Sequence, residues 1–242
     1  MRPRGTTWLI GGLLFVVFAV AMAPATLVRQ LLPADSGVEL LNLRGSLWDG
    51  QADLLVNALP LGSVRWDYRA VTLLQGRLGY DLTWEGPDHA LSGRAGFGLT
   101  GWQVAADGRL TAAFVNRALA PYDIAITGGM EVREVALSAP YRWNGTGSAS
   151  GSARWQGGAV RYRLANQVYD GQLPPLAAFL GDGLEAVIYP EDGQTPLLRA
   201  EIQGNGFARI GVTRKLTELL GNPWPGSHQD HEVVLEVEEQ LF

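Results

Sequence analysis

The sequence predicts a mainly β protein: one N-terminal transmembrane helix, then a twisted antiparallel β-sheet, sandwich or open groove, with few short helices. Three observations predict this. Residues Gly5 to Val28 form an uncharged, mostly apolar run behind Arg2 and Arg4. The chain beyond it repeatedly alternates apolar and polar residues with period two, as in Val64-Arg65-Trp66-Asp67-Tyr68, which marks strands with one buried face. Of the 31 glycines and eight tryptophans in the whole chain, all but Gly5, Gly11, Gly12 and Trp8 lie beyond the run and punctuate short segments, as strands and turns require.

The apolar run is long enough to span a hydrocarbon core of about 30 Å, which needs roughly 20 helical residues, and a helix satisfies its backbone internally. Arg2 and Arg4 hold the N-terminus in the cytoplasm, and Trp8 falls at the cytoplasmic interface. The body is thereby placed on the far side of the membrane, behind a single-pass anchor. A cleaved signal peptide is the alternative, with Ala21-Met22-Ala23 or Ala23-Pro24-Ala25 as its cleavage signal. Pro24 disfavours the first, and the run exceeds the usual ~7–15 residues of a signal core. The division expected is therefore 1–30 for N-terminus and anchor and 31–242 for a periplasmic β-rich unit. A weak boundary near 138–151 separates two β-layers.

The body begins after a polar connection, Gln30 to Gly37, with a strand at 38–43. Arg44-Gly45-Ser46 turns the chain, Ala52, Leu54 and Val56 alternate with Asp53, Leu55 and Asn57, and Pro60-Leu61-Gly62 makes a break. Ala70 to Gln75 reads as a single helical turn closing at Gly76. Strands follow at 78–85, 91–99 and 102–111, then a short helix from Phe114 to Leu119. Ile124 to Leu137, interrupted by Gly128-Gly129, reads as a hairpin or a bulged strand. Strand signals resume at 153–155 and 160–164. Pro174-Pro175 cannot lie in a central strand. Two strands, 184–189 and 197–203, flank the turn Pro190-Glu191-Asp192-Gly193. Val212 to Leu220 reads as a helix stopped by Gly221. The chain closes with an edge strand whose glutamates discourage edge-to-edge association. A loose echo links Gly45–Gly50 with Gly151–Gly157; tandem layers or chance account for it equally.

The formal net charge is −5. Removing Arg2, Arg4 and Arg29 leaves 16 basic and 24 acidic residues, net −8, in the remainder. Such a body excludes nucleic acid as partner, which requires clustered Lys and Arg. With no cysteine, disulfides, thiolate metal sites and cysteine nucleophiles are excluded.

Candidate chemistry is thin. His228 and His231, with Asp230 and Glu232, lie in a Pro/Gly/Ser loop, not on one helix face, and His89 is remote; a solvated loop is the better reading than zinc. Glu191 and Asp192 belong to a turn. The run Gly145 to Gly151 places Ala149 where a nucleophile elbow needs serine. No phosphate loop occurs. The chain is thus expected to be no enzyme, with no cofactor and no metal. Trp48, Trp66, Trp84 and Trp155 alternate inward as core. Trp224, between Pro223 and Pro225, is a candidate contact residue, as are Val233, Leu235 and Val237 of the last strand.

The pattern Gly45-x-x-Trp48-x-Gly50-x-Ala52, Leu61-Gly62-x-Val64-x-Trp66 and Leu73-Leu74-x-Gly76-x-Leu78 behind an N-terminal anchor resembles the type II secretion system protein N (general secretion pathway protein N) family. Gly151-x-Ala153-x-Trp155 resembles its second Gly/Trp element. The resemblance is densest at 43–85 and thin after Gly171. AsmA-like and lipopolysaccharide-transport-like β-proteins share the layout. The resemblance implies an inner-membrane accessory protein of the machine that exports folded proteins across the outer membrane. Its implied partners are other secretion components, inner-membrane lipid and, by self-association, a second copy. The alternative it leaves is an AsmA-like periplasmic β-groove that binds or transfers lipid. The motif residues are structural, and no catalytic residue carries over.

Overall fold

The computed structural model describes residues 14–16, 18–31, 37–142, 146–164 and 166–240. Thirteen strands form one antiparallel sheet. In spatial order they are β1 (Val38–Gly45), β2 (Asp49–Val56), β3 (Leu59–Tyr68), β4 (Leu78–Gly86), β5 (His89–Phe97), β6 (Gly101–Leu110), β8 (Met130–Pro140), β9 (Ser148–Trp155), β12 (Leu176–Gly181), β13 (Glu185–Pro190), β14 (Leu198–Ile202), β15 (Phe207–Thr213) and β16 (Val233–Gln240). A second sheet has the order β11 (Gln167–Leu173), β10 (Gly158–Leu164), β7 (Ile124–Ile126). Residues 14–16 and 18–21 are helical, and three further short helices, α1 (Thr26–Leu31), α2 (Ala112–Leu119) and α3 (Arg214–Leu219), accompany 3-10 turns at Ala70–Gln75 and Ala120–Tyr122.

Nearly every strand pairs with its sequence neighbour, because the connections are too short to cross over. The register carries one apolar face through the large sheet. Val64 lies opposite Trp84 and Trp66 opposite Leu82, Ala95 opposite Val104, Val104 opposite Leu137, and Val212 opposite Leu198 and Leu235. The other face is polar, with cross-strand pairs such as Arg94–Asp81 at 3.5 Å and Arg209–Glu201 at 3.2 Å. β1 and β16, the two ends of the strand order, do not pair with each other, so the sheet is open.

Several expectations change. The apolar run is not one helix as far as Val28. Residues 14–16 and 18–21 are helical, but Pro24 makes a β-bridge to Ser46 and α1 follows separately. Proline has no N–H and bars a continuous helix, while Ala23 and Ala25 are small enough to be buried against the sheet. Residues 1–13 and 17, part of the expected anchor, lie outside the described residues; among the described residues no helix is long and apolar enough to cross a membrane. Pro60 sits inside β3, tolerated because the β2–β3 register shifts there. Gln30 is helical, and β15 runs to Thr213, so α3 starts two residues later than the apolar pattern implied. Residues 124–137 are neither a hairpin nor one strand: Gly128-Gly129 sends β7 and β8 to different sheets. Strands β11 and β12, hidden by Pro174-Pro175, are revealed as partners of β10 and β9. Residues 138–140 and 148–151 belong to β8 and β9, which pair side by side in the same sheet.

Two cores hold the assembly. One gathers Ala25, Leu40, Ala52 and Trp66, with Val28 of α1 and Leu54, Val64 and Leu82 packed around them. The other gathers Trp155, Val160, Leu173, Leu197 and Leu216, and joins the small sheet and α3 to the large one. Burial of such side chains contributes about 1.5–3 kcal/mol each.

Candidate interaction surface

Each residue of the Gly/Trp pattern has a definite place in the packing. Trp66 and Trp155 are 7% and 6% exposed. Each indole N–H reaches a backbone carbonyl, Ser46 at 3.2 Å for Trp66 and Thr127 at 2.8 Å for Trp155, so neither polar tip is left unpaired. Trp84 does the same with Leu61, at 2.6 Å. Gly50 lies under Trp66; a Cβ there would come within 2.5 Å of the ring. Gly45 and Gly62 bring the chain equally close to the neighbouring backbone, with Asp49 and Glu85. Gly76 takes the left-handed conformation that ends the turn Ala70–Gln75, as expected of a C-cap glycine. Trp48 is half-buried, stacks edge-on to Tyr68 at 4.8 Å and donates to the Val20 carbonyl at 2.9 Å. Trp48 thus lies at one end of the sheet and Trp155 at the other, so the sequence echo is not a structural repeat.

The candidate contact residues divide. Trp224 is half-buried in the connection from α3 to β16, with its backbone N–H on the Thr217 hydroxyl at 3.2 Å. Strand β16 is an edge of the sheet. Leu235 and Val237 pair with Val212 and Ile210 on the apolar face. A bulge between Val212 and Thr213 reverses Val233, which lies over Gly211 on the polar face. The even spacing in sequence implied one face; the bulge splits it. On the polar side Arg209 bridges Glu238 at 3.0 Å and Glu236 at 3.9 Å, and the bond to Glu238 raises its pKa further. Tyr122 crosses to Glu239, at 2.8 Å, which raises the phenol's pKa.

Sequence reasoning missed His89. It is 5% exposed, between Trp84 at 4.5 Å and Phe114 at 4.7 Å, and neither ring nitrogen has a hydrogen-bond partner among the described residues. Burial lowers its pKa, and neighbouring Arg117 lowers it further. A cleft of about 800 Å³ opens beside it, lined by Gly86, Arg109, Thr111, Met130 and Gln156 among others. The β5–α2 packing that encloses His89 is long-range and leaves no motif in sequence. His228 contacts Glu232 at 3.1 Å in an exposed loop, and among the described residues no group of three or more metal-ligating side chains converges.

Fold and surface together define a class: a wide, open antiparallel sheet with an edge strand at either side, joined at one end to an apolar N-terminal segment. Residues 36–213 match the family model Type II secretion system (T2SS), protein N. The chain belongs to this family of type II secretion, a protein-transport system, as its Gly/Trp pattern implied. It is similar to the type II secretion system protein N of Vibrio cholerae serotype O1 (strain ATCC 39315 / El Tor Inaba N16961), at 35% identity over 98 residues, 37% of this chain and 39% of that relative. The match spans about two fifths of that relative's length. No solved structure matches.

Proposed function

We propose that this chain is a non-catalytic accessory component of the type II secretion system, working through protein–protein contacts in the export of folded proteins across the outer membrane. Residues 1–30 hold it to the inner membrane with the N-terminus in the cytoplasm. Residues 31–242 form the periplasmic unit, with Ala23–Val28 docked on it at the junction. The observation that carries this reading is a family match over 36–213 on a sheet with two edges, β1 and β16. Edge strands recruit partner strands by backbone hydrogen bonding. Leu235 and Val237, 36% and 48% exposed, give β16 an apolar side for a partner's residues, and the Trp224 loop adjoins its start. Partners of this chemistry are other components of the secretion apparatus or a second copy of the chain.

Deletion of the gene is expected to leave secreted enzymes in the periplasm, with export restored by the wild-type chain. Trp224→Ala is expected to reduce export with the fold intact by circular dichroism. Unchanged export by that variant removes the loop from the contact surface; normal export by the deletion removes the secretion role.

One observation favours a second reading, the AsmA-like lipid groove. The apolar face of β4–β6 is only partly covered, with Leu78, Phe97 and Val104 exposed, and such troughs accept apolar ligands. Lipid retained by the purified chain, measured by mass spectrometry, supports it; a lipid-free chain from the same membranes removes it.

A further inference from the structure

The register aligns one end of the strands from β2 to β8. Trp48 stands beside Tyr68, Tyr68 opposite Tyr80, Leu78 opposite Phe97, Phe97 opposite Trp102, and Gly101 opposite Pro140. The connections leaving this end are 69–77, 98–100 and the one that begins at Tyr141. They carry Leu99 and Leu74, 94% and 88% exposed, the two most exposed large apolar side chains among the described residues. Val71, Leu73 and Tyr141 are more than half exposed beside them.

These side chains are held outward by local structure. The Thr72 hydroxyl donates to the Arg69 carbonyl at 2.7 Å, and its methyl side packs over Gly79, where a Cβ would collide with it. Gly76 closes the turn. The Tyr141 hydroxyl donates to the Gly98 carbonyl at 3.0 Å, which ties the second and third connections together. The segments 69–80, 95–106 and 140–142 contain no acidic residue, and Arg77 and Arg142 border the apolar tips, while Arg69 lies 3.5 Å from Asp81. Arg77 bonds the neutral Gln103 amide at 2.8 Å.

The apolar N-terminal helix leaves from the same end. The Leu47 N–H donates to the Ala23 carbonyl at 2.8 Å, and Trp48 donates to Val20. Phe15, Phe18 and Met22 of that segment are exposed. The opposite end has Pro87-Asp88, Gln156-Gly157 and Pro190-Glu191-Asp192-Gly193 at its turns. A single exposed leucine is ordinary. Apolar tips bordered by arginine, at the end where an apolar helix departs, have the composition of an interfacial membrane contact.

We infer that this end of the sheet is a second membrane contact. Val71, Leu73, Leu74, Phe97, Leu99 and Tyr141 enter the headgroup–acyl boundary of an anionic bilayer, with Arg77 and Arg142 at phosphate level. The inference rests on the membrane placement proposed above. The strands then stand along the membrane normal. A ten-residue strand such as β6 rises about 33 Å, so the far end, with Trp224 and the start of β16, is presented that distance into the periplasm.

The test uses the full chain, which has no native cysteine, in phosphatidylethanolamine/phosphatidylglycerol vesicles. Leu74→Cys, Leu99→Cys, Phe15→Cys and Asp192→Cys each carry a polarity-sensitive fluorophore, read against lipid-borne nitroxide and aqueous iodide. The expected result is nitroxide quenching and loss of iodide quenching at 74 and 99, and the reverse at 192. Lipid contact at 15 with water at 74 and 99 overturns the rim contact and leaves the anchor standing. Lipid contact at 74 and 99 with water at 15 supports the rim and overturns the anchor. Water at all four sites overturns both, and lipid at all four overturns the rim in favour of nonspecific adsorption.

Discussion

Trp66 and Trp155 are buried to the same degree and bonded in the same way, yet they organise different halves of the molecule. Trp66 fastens the N-terminal segment and α1 to β1–β4, where the apolar face beyond them stays partly open. Trp155 fastens the small sheet and α3 to β8–β15, where more of that face is covered. One continuous sheet thus carries an open half and a closed half. The difference comes from what each half has to lay over its apolar side: the six-residue α1 and, at the Trp84 end, Phe114 of α2 in one case, three strands and α3 in the other.

Three experiments break or sharpen this comparison. The largest effect is expected from Trp155→Ala, about 3–5 kcal/mol of stability, since truncating a buried aromatic loses transfer energy and leaves a cavity. Trp66→Ala falls at the lower end of that range because its half has less to collapse onto it. Hydrogen exchange should separate the two: amides of β7 and β10 lose protection in Trp155→Ala, amides of β1–β3 in Trp66→Ala. Equal loss across the whole sheet would abolish the distinction between halves.

A smaller effect is expected from the glycines beneath each core. At Gly50 a Cβ meets the Trp66 ring at 2.5 Å and the Arg44 carbonyl at 2.8 Å, both fixed. Gly50→Ala therefore costs about 1–3 kcal/mol in denaturant titration. At Gly171 the nearest atom is the end of the Leu220 side chain, at 2.9 Å, which can turn aside. Gly171→Ala is expected to cost less than Gly50→Ala, and the opposite order would show the closed half to be the more rigid.

The smallest effect is a pH dependence confined to the open half. His89 has its pKa lowered by burial, then by Arg117. The unfolded chain binds the proton more readily than the folded one, so stability falls as pH drops below the ordinary histidine value of about 6.5. His89→Phe keeps the ring between Trp84 and Phe114 and removes the proton site. Its stability should vary less between pH 7 and pH 5 than that of the wild type. An unchanged profile would assign the acid sensitivity to other groups.

Much of this was legible in the residues. Alternation at Val64–Tyr68 and Leu78–Trp84 set the pairing faces, and the turn at Ala70–Gln75 with Gly76 was readable from one glycine. Trp66 and Trp155 were readable as core, whereas Trp48 and Trp84, expected inward with them, are only half-buried. Less was legible where chain neighbours were not space neighbours. Pro174-Pro175 masked β11 and β12, because only the partner strands show which side of the prolines belongs to which sheet. Gly128-Gly129 read as a turn within one sheet and proved to be an exchange between two. For the candidate contacts, the spacing of Val233, Leu235 and Val237 concealed a bulge that turns one of them to the other face.

By itself the sequence determined the β class, the polar and apolar faces, the acidic body and the family pattern, because each rests on local periodicity or composition. Tertiary structure alone decided that the sheet is single and open, that Pro24 returns the chain to Ser46, and that the apolar tips at Leu74 and Leu99 share one end with the N-terminal helix. Those facts depend on register and long-range closure. Register is a relation between distant segments, and no window along one segment contains it.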